Sequence, residues 1–516
     1  MNGGNAVVQQ VDEEKDAKFV LEVESIDLEG RGVGRHEGRV VFLDNGLPGE
    51  RVVAQTVKRR GRYDKAQTLE ILSASSARVV PRCPSYGSCG GCSMQHMDAA
   101  TQLAVKQRVL EDQLWHLARI RPDQVLAPIM GAAWNTRRRA RLSVRHVVRK
   151  GKVLVGFHER SSRFVADMLE CHVLSQRVSA LLPVLRELVA ALSIRDRIPQ
   201  IEVAEGDALA FGNDALAVRG DALAVRGDAL AFGSNAVAVG SDSPQTRKTE
   251  TVLALVFRVL EAPSAEDLGR LCAFAAAQAL EVWLQPKGPD SVRLLHPEHS
   301  SLAYALKDFG LRMEFRPTDF TQVNHPMNAA MIARALRLLE LAPADAVLDL
   351  FSGLGNFSLP LARTARRVLG IELSAELSKR AQTLAQRHGL DGVACFRTAN
   401  LFEINASEWE HFGGFNKVLV DPPREGAQRV CEHLARQATP PSRIVYVSCN
   451  PATLARDAAI LVHQGPFRLR CAGVMNMFPQ TSHVESMAVF EIDPTTQSTR
   501  KSPELLALAA ENPKDG

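Results

Sequence analysis

The chain has 516 residues, of which 46% are hydrophobic and 23% are charged, and its formal net charge is +4. This length predicts two to four domains, and this composition is typical of a soluble globular protein. The longest apolar runs, such as Val252–Phe257, are far shorter than the ~20 residues that a membrane span needs. The polar N-terminus lacks the apolar core of a secretory signal, so we expect a cytoplasmic protein.

The first predicted domain covers residues 16–74 and follows a tail at 1–15 that we expect to be disordered. Short alternating strands separated by glycine turns are typical of a small β-barrel. These strands are predicted at Phe19–Val23, Gly38–Phe42, Arg51–Ala54 and Gln67–Ile71. The loops of the barrel are expected to carry Gly30–Arg35 and the basic cluster Lys58–Lys65.

The second predicted domain, residues 75–317, has mixed secondary structure. A helix is predicted over Asp98–Ile120 with Asp98 as its cap, followed by basic strands over Arg137–Val155 and an apolar helix over Val178–Leu192. Within residues 206–240 a seven-residue unit recurs five times, punctuated by Gly-Asp or Asn-Asp turns. Four contiguous apolar residues exclude a coiled-coil heptad. We interpret the repeat as a tandem expansion without a catalytic role, and a partner-binding loop is the alternative.

Cysteines mark the start of this domain. Nine cysteines in so long a chain argue against a disulfide framework and for reduced thiols, a metal site or catalysis. Cys83, Cys89 and Cys92 lie within ten residues in a glycine-rich segment, and Cys171 is the obvious fourth ligand. Thiols at this density indicate a metal site. Zinc usually binds two close pairs, so three clustered cysteines and a distant one favour an iron–sulfur cluster.

Two basic segments suggest contact with a phosphate backbone. One is Lys58–Lys65, and the other, Trp134–Arg163, contains ten Lys or Arg residues and a single acid, Glu159. Local basic patches of this kind are typical of nucleic-acid binding. The alternative is that both segments are merely solvated faces.

The third predicted domain, residues 318–495, alternates strands with helices, which indicates a parallel sheet with crossover helices. The strand Ala346–Phe351 leads into a loop with Gly353 and Gly355, and the next strand ends in Glu372, where an acid reaches ribose hydroxyls. This pattern fits a dinucleotide or S-adenosylmethionine. Two details favour S-adenosylmethionine, namely Asp349 within the first strand and Ser358 in place of a third glycine. Asn400 is placed either to meet the adenine or to cap a helix.

Cys449 is the strongest candidate for a catalytic residue. It directly follows the apolar strand Arg443–Val447 and Ser448, and Asp421 directly follows the strand Lys417–Val420. Chemistry in open α/β sheets takes place at the carboxyl ends of the strands. A thiol and an acid delivered to that edge predict a nucleophile rather than a core cysteine. The cysteines at 272, 395, 431 and 471 lie in apolar or helical contexts and are expected to be incidental.

Five motifs carry a resemblance to a known family. They are Phe320-Thr-Gln-Val-Asn324, the segment Asp349–Phe357, Asp421-Pro-Pro-Arg424, Ser448-Cys-Asn-Pro451 and His483-Val-Glu-Ser-Met487. Together they resemble the RNA (uracil-C5)-methyltransferase family over nearly the whole chain. The resemblance implies a multidomain α/β protein with an OB-like, RNA-binding TRAM barrel, a central α+β domain with a [4Fe–4S] cluster, and a Rossmann-like S-adenosylmethionine-dependent methyltransferase domain, followed by a tail at 496–516.

The resemblance also implies roles for individual residues. Cys449 would be the nucleophile and Glu485 the base. The contacts to S-adenosylmethionine would be Gln322, Phe351, Asn356, Glu372, Asn400 and Asp421. The cluster ligands would be Cys83, Cys89, Cys92 and Cys171.

The chemistry explains why these residue types are needed. Uracil C5 is a poor nucleophile, and a thiolate that adds to C6 creates an enolate whose C5 can attack a methyl donor. A base must then remove the C5 proton before the thiolate leaves. We therefore expect the pKa of Cys449 to be lowered. Arg424 is either a donor to the enolate or a structural ion pair, and His483 is a rival base to Glu485.

Within this family, the barrel and the four cysteines resemble the branch that modifies 23S ribosomal RNA, so 23S rRNA is the expected partner, bound by the barrel and the basic segments near 58–65 and 137–163. No obligate protein partner is evident. Three alternatives stay open: a tRNA uracil-C5 methyltransferase, an iron–sulfur oxidoreductase, and a non-catalytic RNA-binding scaffold. The oxidoreductase would leave the Asp421 and Cys449 motifs without a use.

Overall fold

In a computed structural model of the chain, residues 18–207, 237–238 and 251–495 are described. The predicted tails at 1–15 and 496–516, and nearly all of the 206–240 repeat, lie outside the described residues. The described residues form one ten-stranded sheet, two six-stranded sheets and a two-stranded hairpin. Among the helices in these ranges, none combines the length and the apolar content that crossing a membrane requires.

The N-terminal sheet closes into a small barrel. Its strands are β1 (Lys18–Glu22), β2 (Ser25–Ile26), β3 (Gly32–His36), β4 (Arg39–Asp44), β5 (Arg51–Arg59) and β6 (Tyr63–Ser73). They pair in the order β1-β5-β6-β4-β3-β2. Because only two residues separate β1 from β2, the two edges of the sheet belong to one stretch of chain, which closes the barrel around a core that includes Leu21, Leu43 and Val52.

One prediction for this region was wrong. Gly30–Arg35 was expected to lie in a loop, but Gly32–His36 is strand β3. The glycines serve close packing rather than a turn, because a Cβ on Gly34 would lie 2.4 Å from the carbonyl oxygen of Glu22 and one on Gly32 would lie 2.9 Å from that of Gly46.

The central region is built on the second six-stranded sheet. Its strands are β9 (Arg139–Val147), β10 (Lys152–Gly156), β11 (Gln200–Asp207), β13 (Thr251–Arg258), β14 (Glu281–Gln285) and β15 (Arg293–His296). Helix α1 (Ala99–Ala118) precedes this sheet in the chain and packs in a core of the C-terminal sheet, whereas α2 (Gln176–Ala191) and α3 (Ala265–Ala277) pack against the central sheet itself. Asp98 caps α1 as predicted, since its Oδ1 accepts a hydrogen bond from Thr101 N at 2.9 Å. The hairpin β16 (Ala303–Leu306) and β17 (Leu311–Glu314) follows.

The ten-stranded sheet forms the C-terminal domain. Its main strands are β18 (Ala346–Leu350), β19 (Arg367–Glu372), β20 (Ala394–Thr398), β21 (Lys417–Val420), β22 (Arg443–Ser448), β23 (Phe467–Met475) and β24 (Glu485–Ile492). Three short strands extend it: β7 (Gln124–Val125), β8 (Ile129–Met130) and β12 (Val237–Ala238). The order is β23-β24-β22-β21-β18-β19-β20, in which β18 to β22 are parallel and β24 is antiparallel.

Helices cover both faces of this sheet. They are α4 (His325–Leu339), α5 (Ser358–Leu361), α6 (Ala375–Arg387), α7 (Ala406–Glu410), α8 (Gln428–Arg436) and α9 (Pro451–Ala459). Two apolar cores lie on opposite sides of the strands, with Leu348 in one and Val347 in the other. The strand order reverses between β18 and β21, and in sheets of this kind ligands bind beyond the carboxyl ends of the strands at such a point.

The barrel is docked against the rest of the molecule. Leu47 of the barrel packs with Met94 and Met97, which lie just before α1. The buried carboxylate of Glu50 pairs with Arg78 beyond the barrel, with Nε to Oε1 at 2.5 Å. These contacts bring the barrel next to the segment that carries the clustered cysteines.

Candidate active site

A cavity of about 470 Å³ opens beyond the carboxyl ends of β18, β19, β21 and β22. Its walls come from eight separate segments of the chain and hold most of the predicted site residues. The predicted site residues that line the cavity are Gln322, Phe351, Asn356, Glu372, Asp421, Cys449 and Glu485. Pockets for small-molecule ligands commonly have volumes of about 300–1,000 Å³. The structure therefore brings the candidate cofactor residues and the candidate catalytic residues to one cavity.

The loop after β18 is shaped for a ligand. Phe351 and Gly353 have φ values of 65° and 55°, in the left-handed region, and no atom lies within 4 Å of the position that a Cβ on Gly353 would take. The backbone N–H of Gly353 donates to Glu372 Oε2 at 3.0 Å, and Ser374 N–H donates to Glu372 Oε1 at 2.9 Å. These two bonds fix the carboxylate at the end of β19 beside the open loop.

Asn356 is held by two residues that sequence reasoning missed. Its Oδ1 accepts hydrogen bonds from Tyr304 Oη and Asn328 Nδ2, each at 2.9 Å, and its Nδ2 donates to Asn328 Oδ1 at 2.9 Å. Tyr304 lies on β16 and Asn328 on α4. No local motif marks either residue, because their role arises only when the hairpin and α4 pack beside the loop.

Asn400 is the one predicted cofactor contact that does not line the cavity. Its Oδ1 accepts from Phe402 N at 3.1 Å, and its Nδ2 donates to Glu403 Oε2 at 2.9 Å. Phe402 lines the cavity instead, with its ring centroid 5.5 Å from that of Phe351. The polar turn at Asn400 thus supports an aromatic wall of the cavity.

Cys449 is half-buried at the end of β22, immediately before Asn450, the cap of α9. Asn450 Nδ2 and Thr453 Oγ1 donate to the backbone carbonyl of Arg424 at 3.0 and 3.3 Å. The guanidinium of Arg424 also reaches His483, with 3.3 Å from Nη2 to Nδ1. The start of α9 therefore fixes Arg424 next to the thiol.

The expectation of a lowered pKa at Cys449 was wrong for the protein without ligands. Burial raises the pKa of the thiol to about 11, and the carboxyl groups of Glu485 and Asp421 add to that rise. Arg424 acts in the opposite direction but does not compensate. The thiol is therefore neutral at physiological pH in the protein without ligands.

The carboxyl groups of the site are also shifted towards their neutral forms. Burial raises the pKa of Glu485 well above its usual range, and the charge of Asp421 adds to this effect. Burial raises the pKa of Asp421 to about 7. Asp349, which is fully buried beneath the loop and accepts a hydrogen bond from Ser358 Oγ, has its pKa raised to about 7 by burial. Clusters of such perturbed groups in one cavity are typical of active sites.

The four clustered cysteines border a second, much smaller cavity of about 20 Å³. Cys83, Cys89, Cys92 and Cys171 line it together with Arg137. In the described parts of the chain, no group of three or more His, Cys, Asp or Glu side chains is close enough to hold a metal ion. Burial raises the pKa of Cys89 and Cys171, and raises that of Cys92 to about 12. The thiols therefore share one space without forming a compact set of ligands for a single ion.

A basic cleft of about 550 Å³ separates the barrel from the cysteine segment and reaches His483 at the edge of the active-site cavity. The cationic residues in its lining are Arg31, Lys58, Arg60, Lys65, Arg137 and Arg160.

The second basic segment does not form one exposed face. Arg138 pairs with Asp207, with Nη1 to Oδ1 at 2.5 Å, and Arg139 Nη2 donates to the carbonyl of Pro317 at 2.7 Å. These arginines hold the central sheet against the segment that leads to Gln322. The side chain of Arg141, by contrast, is 76% exposed.

The fold of the chain is similar to that of a methyltransferase of known structure. It is similar to the crystal structure of Pyrococcus abyssi tRNA (uracil-54, C5)-methyltransferase in complex with S-adenosyl-L-homocysteine, with a TM-score of 0.63 and 21% identity over 92% of this chain and 100% of that chain. This likeness shows that the chain has the fold of a uracil-C5 methyltransferase.

Sequence comparisons identify the family. The tRNA (Uracil-5-)-methyltransferase family model matches residues 245–492. The 23S rRNA (uracil(1939)-C(5))-methyltransferase RlmD of Bordetella avium is 52% identical over 92% of this chain and 91% of its own length. The enzyme with the same name from Burkholderia thailandensis is 50% identical over 92% of this chain and 95% of its own length. The chain belongs to the RNA (uracil-C5)-methyltransferase family and is a methyltransferase.

Proposed function

We propose that this protein methylates C5 of a specific uridine in 23S ribosomal RNA, with S-adenosylmethionine as the methyl donor. The observation that carries the proposal is the single cavity in which Cys449 and Glu485 face the predicted cofactor residues. The substrate rests on the relatives of about 50% identity, whose names specify uracil in 23S rRNA.

The cavity fits S-adenosylmethionine. Two backbone N–H groups hold the Glu372 carboxylate, which is positioned to accept hydrogen bonds from the ribose hydroxyls of the cofactor. Glu485, the other glutamate that lines the cavity, is assigned to catalysis. Phe351 and Phe402 offer an apolar wall for the adenine. Gln322, Asn356 and Asp421 supply polar groups around the remainder, and Asn400 acts through the turn that carries Phe402. When bound, S-adenosylmethionine supplies the methyl group and a positive sulfonium charge.

The protein's own residues perform the remaining chemistry. Cys449 Sγ adds to C6 of the uracil, and the resulting enolate is stabilised by Arg424, which lies beside the thiol. After C5 has been methylated, Glu485 accepts the C5 proton, the electron pair of the C–H bond restores the C5–C6 double bond, and the thiolate leaves. A uridine within folded RNA must be turned out of its stack to enter such a cavity.

The protonation states explain why activation depends on the substrates. In the ligand-free protein the thiol of Cys449 is neutral, and burial shifts the carboxyl of Glu485 towards its neutral form. A positive charge bound in the cavity favours the ionised forms of Asp421, Glu485 and Cys449.

The barrel and the basic cleft are proposed to hold the RNA. Lys58, Arg60 and Lys65 of the barrel face Arg160 across a cleft that leads to His483. This arrangement suits a phosphate backbone whose flipped nucleotide enters the active-site cavity. It supports the assignment of residues 16–74 as a TRAM domain.

We also propose a [4Fe–4S] cluster on Cys83, Cys89, Cys92 and Cys171. Four cysteine thiolates are the ligand set of such a cluster. Each thiolate binds a different iron, so the ligands need a shared cavity rather than the compact arrangement that a single ion requires. Arg137 and Arg160 lie near these thiols and complement the negative charge of thiolate ligands. Metal ligation would ionise thiols that burial otherwise keeps neutral.

A covalent-trapping experiment tests the proposed function. The full-length protein is mixed with S-adenosylmethionine and a 23S rRNA fragment that contains 5-fluorouridine, whose fluorine cannot be removed as a proton. We expect a stable protein–RNA adduct, visible on a denaturing gel, that is absent with Cys449→Ala and present with Cys395→Ala, in which an exposed cysteine is replaced. An adduct with tRNA but not with the rRNA fragment would contradict the proposed substrate, and an adduct with Cys449→Ala would contradict the proposed nucleophile.

A further inference from the structure

The connection between β23 and β24, residues 476–484, forms one wall of the active site. It places Phe478 and His483 in the cavity and ends at Glu485, the first residue of β24. Any movement of this connection would therefore displace the proposed base. Residues that are distant in sequence hold it in place.

Gln102 on α1 makes the most extensive of these contacts. Its side chain is buried, with 1% exposure, and its amide is fully used. Nε2 lies 3.0 Å from Gln480 Oε1, from the carbonyl of Met94 and from that of Met97. Oε1 accepts from the backbone N–H of Gln480 at 3.0 Å. One glutamine side chain thus joins α1, the residues that follow the clustered cysteines, and the connection between β23 and β24.

Gln480 occupies a strained position that needs such support. Its φ is 67°, in the left-handed region that residues other than glycine rarely adopt. Its carbonyl accepts from the backbone N–H groups of Ser93 and Met94 at 3.0 and 3.1 Å. The backbone N–H of Ser482 donates to Ser93 Oγ at 3.0 Å. Because Ser93 directly follows Cys92, the cysteine segment is bonded directly to the connection that carries the base.

Lys106, one turn further along α1, fixes the other end of the connection. Its Nζ is 3.1 Å from Asn476 Oδ1 and donates to the carbonyl of Phe478 at 2.8 Å. The side chain is buried, with 1% exposure. Gln102 and Lys106 therefore hold both halves of the connection from a single face of α1.

We infer that Gln102 is a positioning residue for the proton-transfer step, holding the β23–β24 connection so that the Glu485 carboxylate meets the C5 proton of the methylated adduct. The cysteine segment takes part through Ser93 and Met94, which gives the clustered cysteines a mechanical connection to catalysis. This inference rests on the proposed function. In the step concerned, the C5–H electron pair forms the C5–C6 double bond, the proton goes to Glu485, and the C6–S bond breaks to release the Cys449 thiolate.

The isotope effect on C5–H cleavage distinguishes positioning from simple packing. Turnover of rRNA fragments carrying hydrogen or deuterium at C5 of the target uridine is compared for the wild-type protein, Gln102→Ala and Gln107→Ala. Gln107 is a matched glutamine on the same helix, and its Nε2 donates to Glu111 Oε1 at 2.7 Å. For Gln102→Ala we expect kcat to fall about 10- to 100-fold with a larger C5 isotope effect, because a displaced base slows proton transfer. The KM for S-adenosylmethionine and the rate of 5-fluorouridine adduct formation should change by less than about threefold.

Gln102→Glu separates hydrogen bonding from volume. It keeps the size of the side chain but replaces an N–H donor with an oxygen that faces the carbonyls of Met94 and Met97. A positioning role predicts a loss at least as large as that of Gln102→Ala, whereas a packing role predicts a milder one. Should the Gln102 variants fail to fold, as judged by thermal unfolding, Gln480→Gly tests the same connection, because glycine tolerates the backbone angle while losing the side-chain bonds.

The outcomes are distinct from those that test the proposed function. If the wild-type protein releases no C5 hydrogen from the rRNA fragment, the proposed function fails. If the wild-type protein is active but the isotope effect of Gln102→Ala and Gln480→Gly equals that of Gln107→Ala, the positioning role is refuted and the proposed function stands.

Discussion

The molecule contains two groups of cysteine thiols whose surroundings differ. Burial raises the pKa of Cys449 and of Cys89, Cys92 and Cys171 alike. Cys449, however, faces a cavity of about 470 Å³ together with Asp421 and Glu485. The clustered thiols face one another across about 20 Å³, and among the described residues lining that space none is a carboxylate. The chemistry of a thiol is therefore indicated by the groups around it rather than by its own ionisation.

Replacing one cysteine from each group gives the largest expected contrast. Cys449→Ser should reduce methyl transfer more than about 1,000-fold, because an alcohol cannot replace the thiolate, while leaving thermal stability unchanged. Cys89→Ser should abolish the visible absorption of the purified protein and lower its unfolding temperature, because metal binding is coupled to folding. Absorption spectra, thermal unfolding and methyl transfer are measured for both variants and for Cys395→Ser, an exposed control.

Either half of this contrast can fail. A colourless but stable and fully active Cys89→Ser protein would remove the cluster from the proposal. A Cys449→Ser protein that unfolds early would mean that Cys449 is a structural residue of the sheet.

The two thiol groups also differ in how far the sequence predicted them. Strand-end placement pointed to Cys449 and Asp421, which line the active-site cavity. The spacing of the clustered cysteines, with Cys171 as the distant member, pointed to four residues that line one small cavity, and their role as ligands stays a prediction. The raised pKa of Cys449 was not predictable, because it depends on the burial of the thiol and on Glu485 and Asp421, which come together only in the folded sheet.

Contacts between distant segments were beyond sequence reasoning for the same reason. Gln102 and Gln480 are 378 positions apart, and neither lies in a motif. In the barrel, Gly32 and Gly34 were assigned to a loop because glycine serves both turns and close packing, and only the neighbouring carbonyls distinguish the two uses. Motifs thus predicted which residues line the active-site cavity, and tertiary packing determines how they are held and how burial shifts their pKa values.

Arg424 provides a sharper test of the Cys449 environment, with a smaller expected effect. Because this guanidinium lowers the pKa of the thiol, Arg424→Met should raise that pKa further and reduce the thiolate fraction at a given pH. We expect adduct formation with 5-fluorouridine RNA to slow about tenfold at every pH from about 7.5 to 9.5, because one pKa unit corresponds to a tenfold change and both pKa values lie above this range. The rate of each protein should rise with pH as its thiolate fraction grows. Rates are measured across this pH range for the wild-type protein and the variant.

Two further variants make that result interpretable. Arg424→Lys keeps the positive charge and should restore part of the rate at pH 7.5. Arg429→Met removes an exposed arginine that pairs with Glu432 on α8 and should have no effect. An Arg424→Lys protein as slow as Arg424→Met would show that Arg424 orients the substrate rather than tuning the thiol.

A change at Asp349, which lies beneath the loop of the active-site cavity, has the smallest expected effect. It tests whether a buried carboxyl lowers the free energy of unfolding. The carboxyl of Asp349 is fully buried, and its folded-state pKa of about 7 lies above the usual value of 3.8 because of burial, with the charges of Asp421 and Glu372 adding to the rise. A carboxyl with a raised folded pKa favours the folded state when it is protonated, so stability is lost as the pH rises from about 4 through about 7.

Asp349→Asn, which cannot ionise, should avoid this loss and be about 2 kcal/mol more stable than the wild-type protein at pH 8, with a smaller difference at pH 5. Urea unfolding at the two pH values measures the free energies, and Asp391→Asn, at an exposed position before β20, is the control. Equal stability differences at pH 5 and pH 8 would mean that Asp349 is ionised in both states, and the negative charge beneath the loop would then be a permanent feature of the cavity.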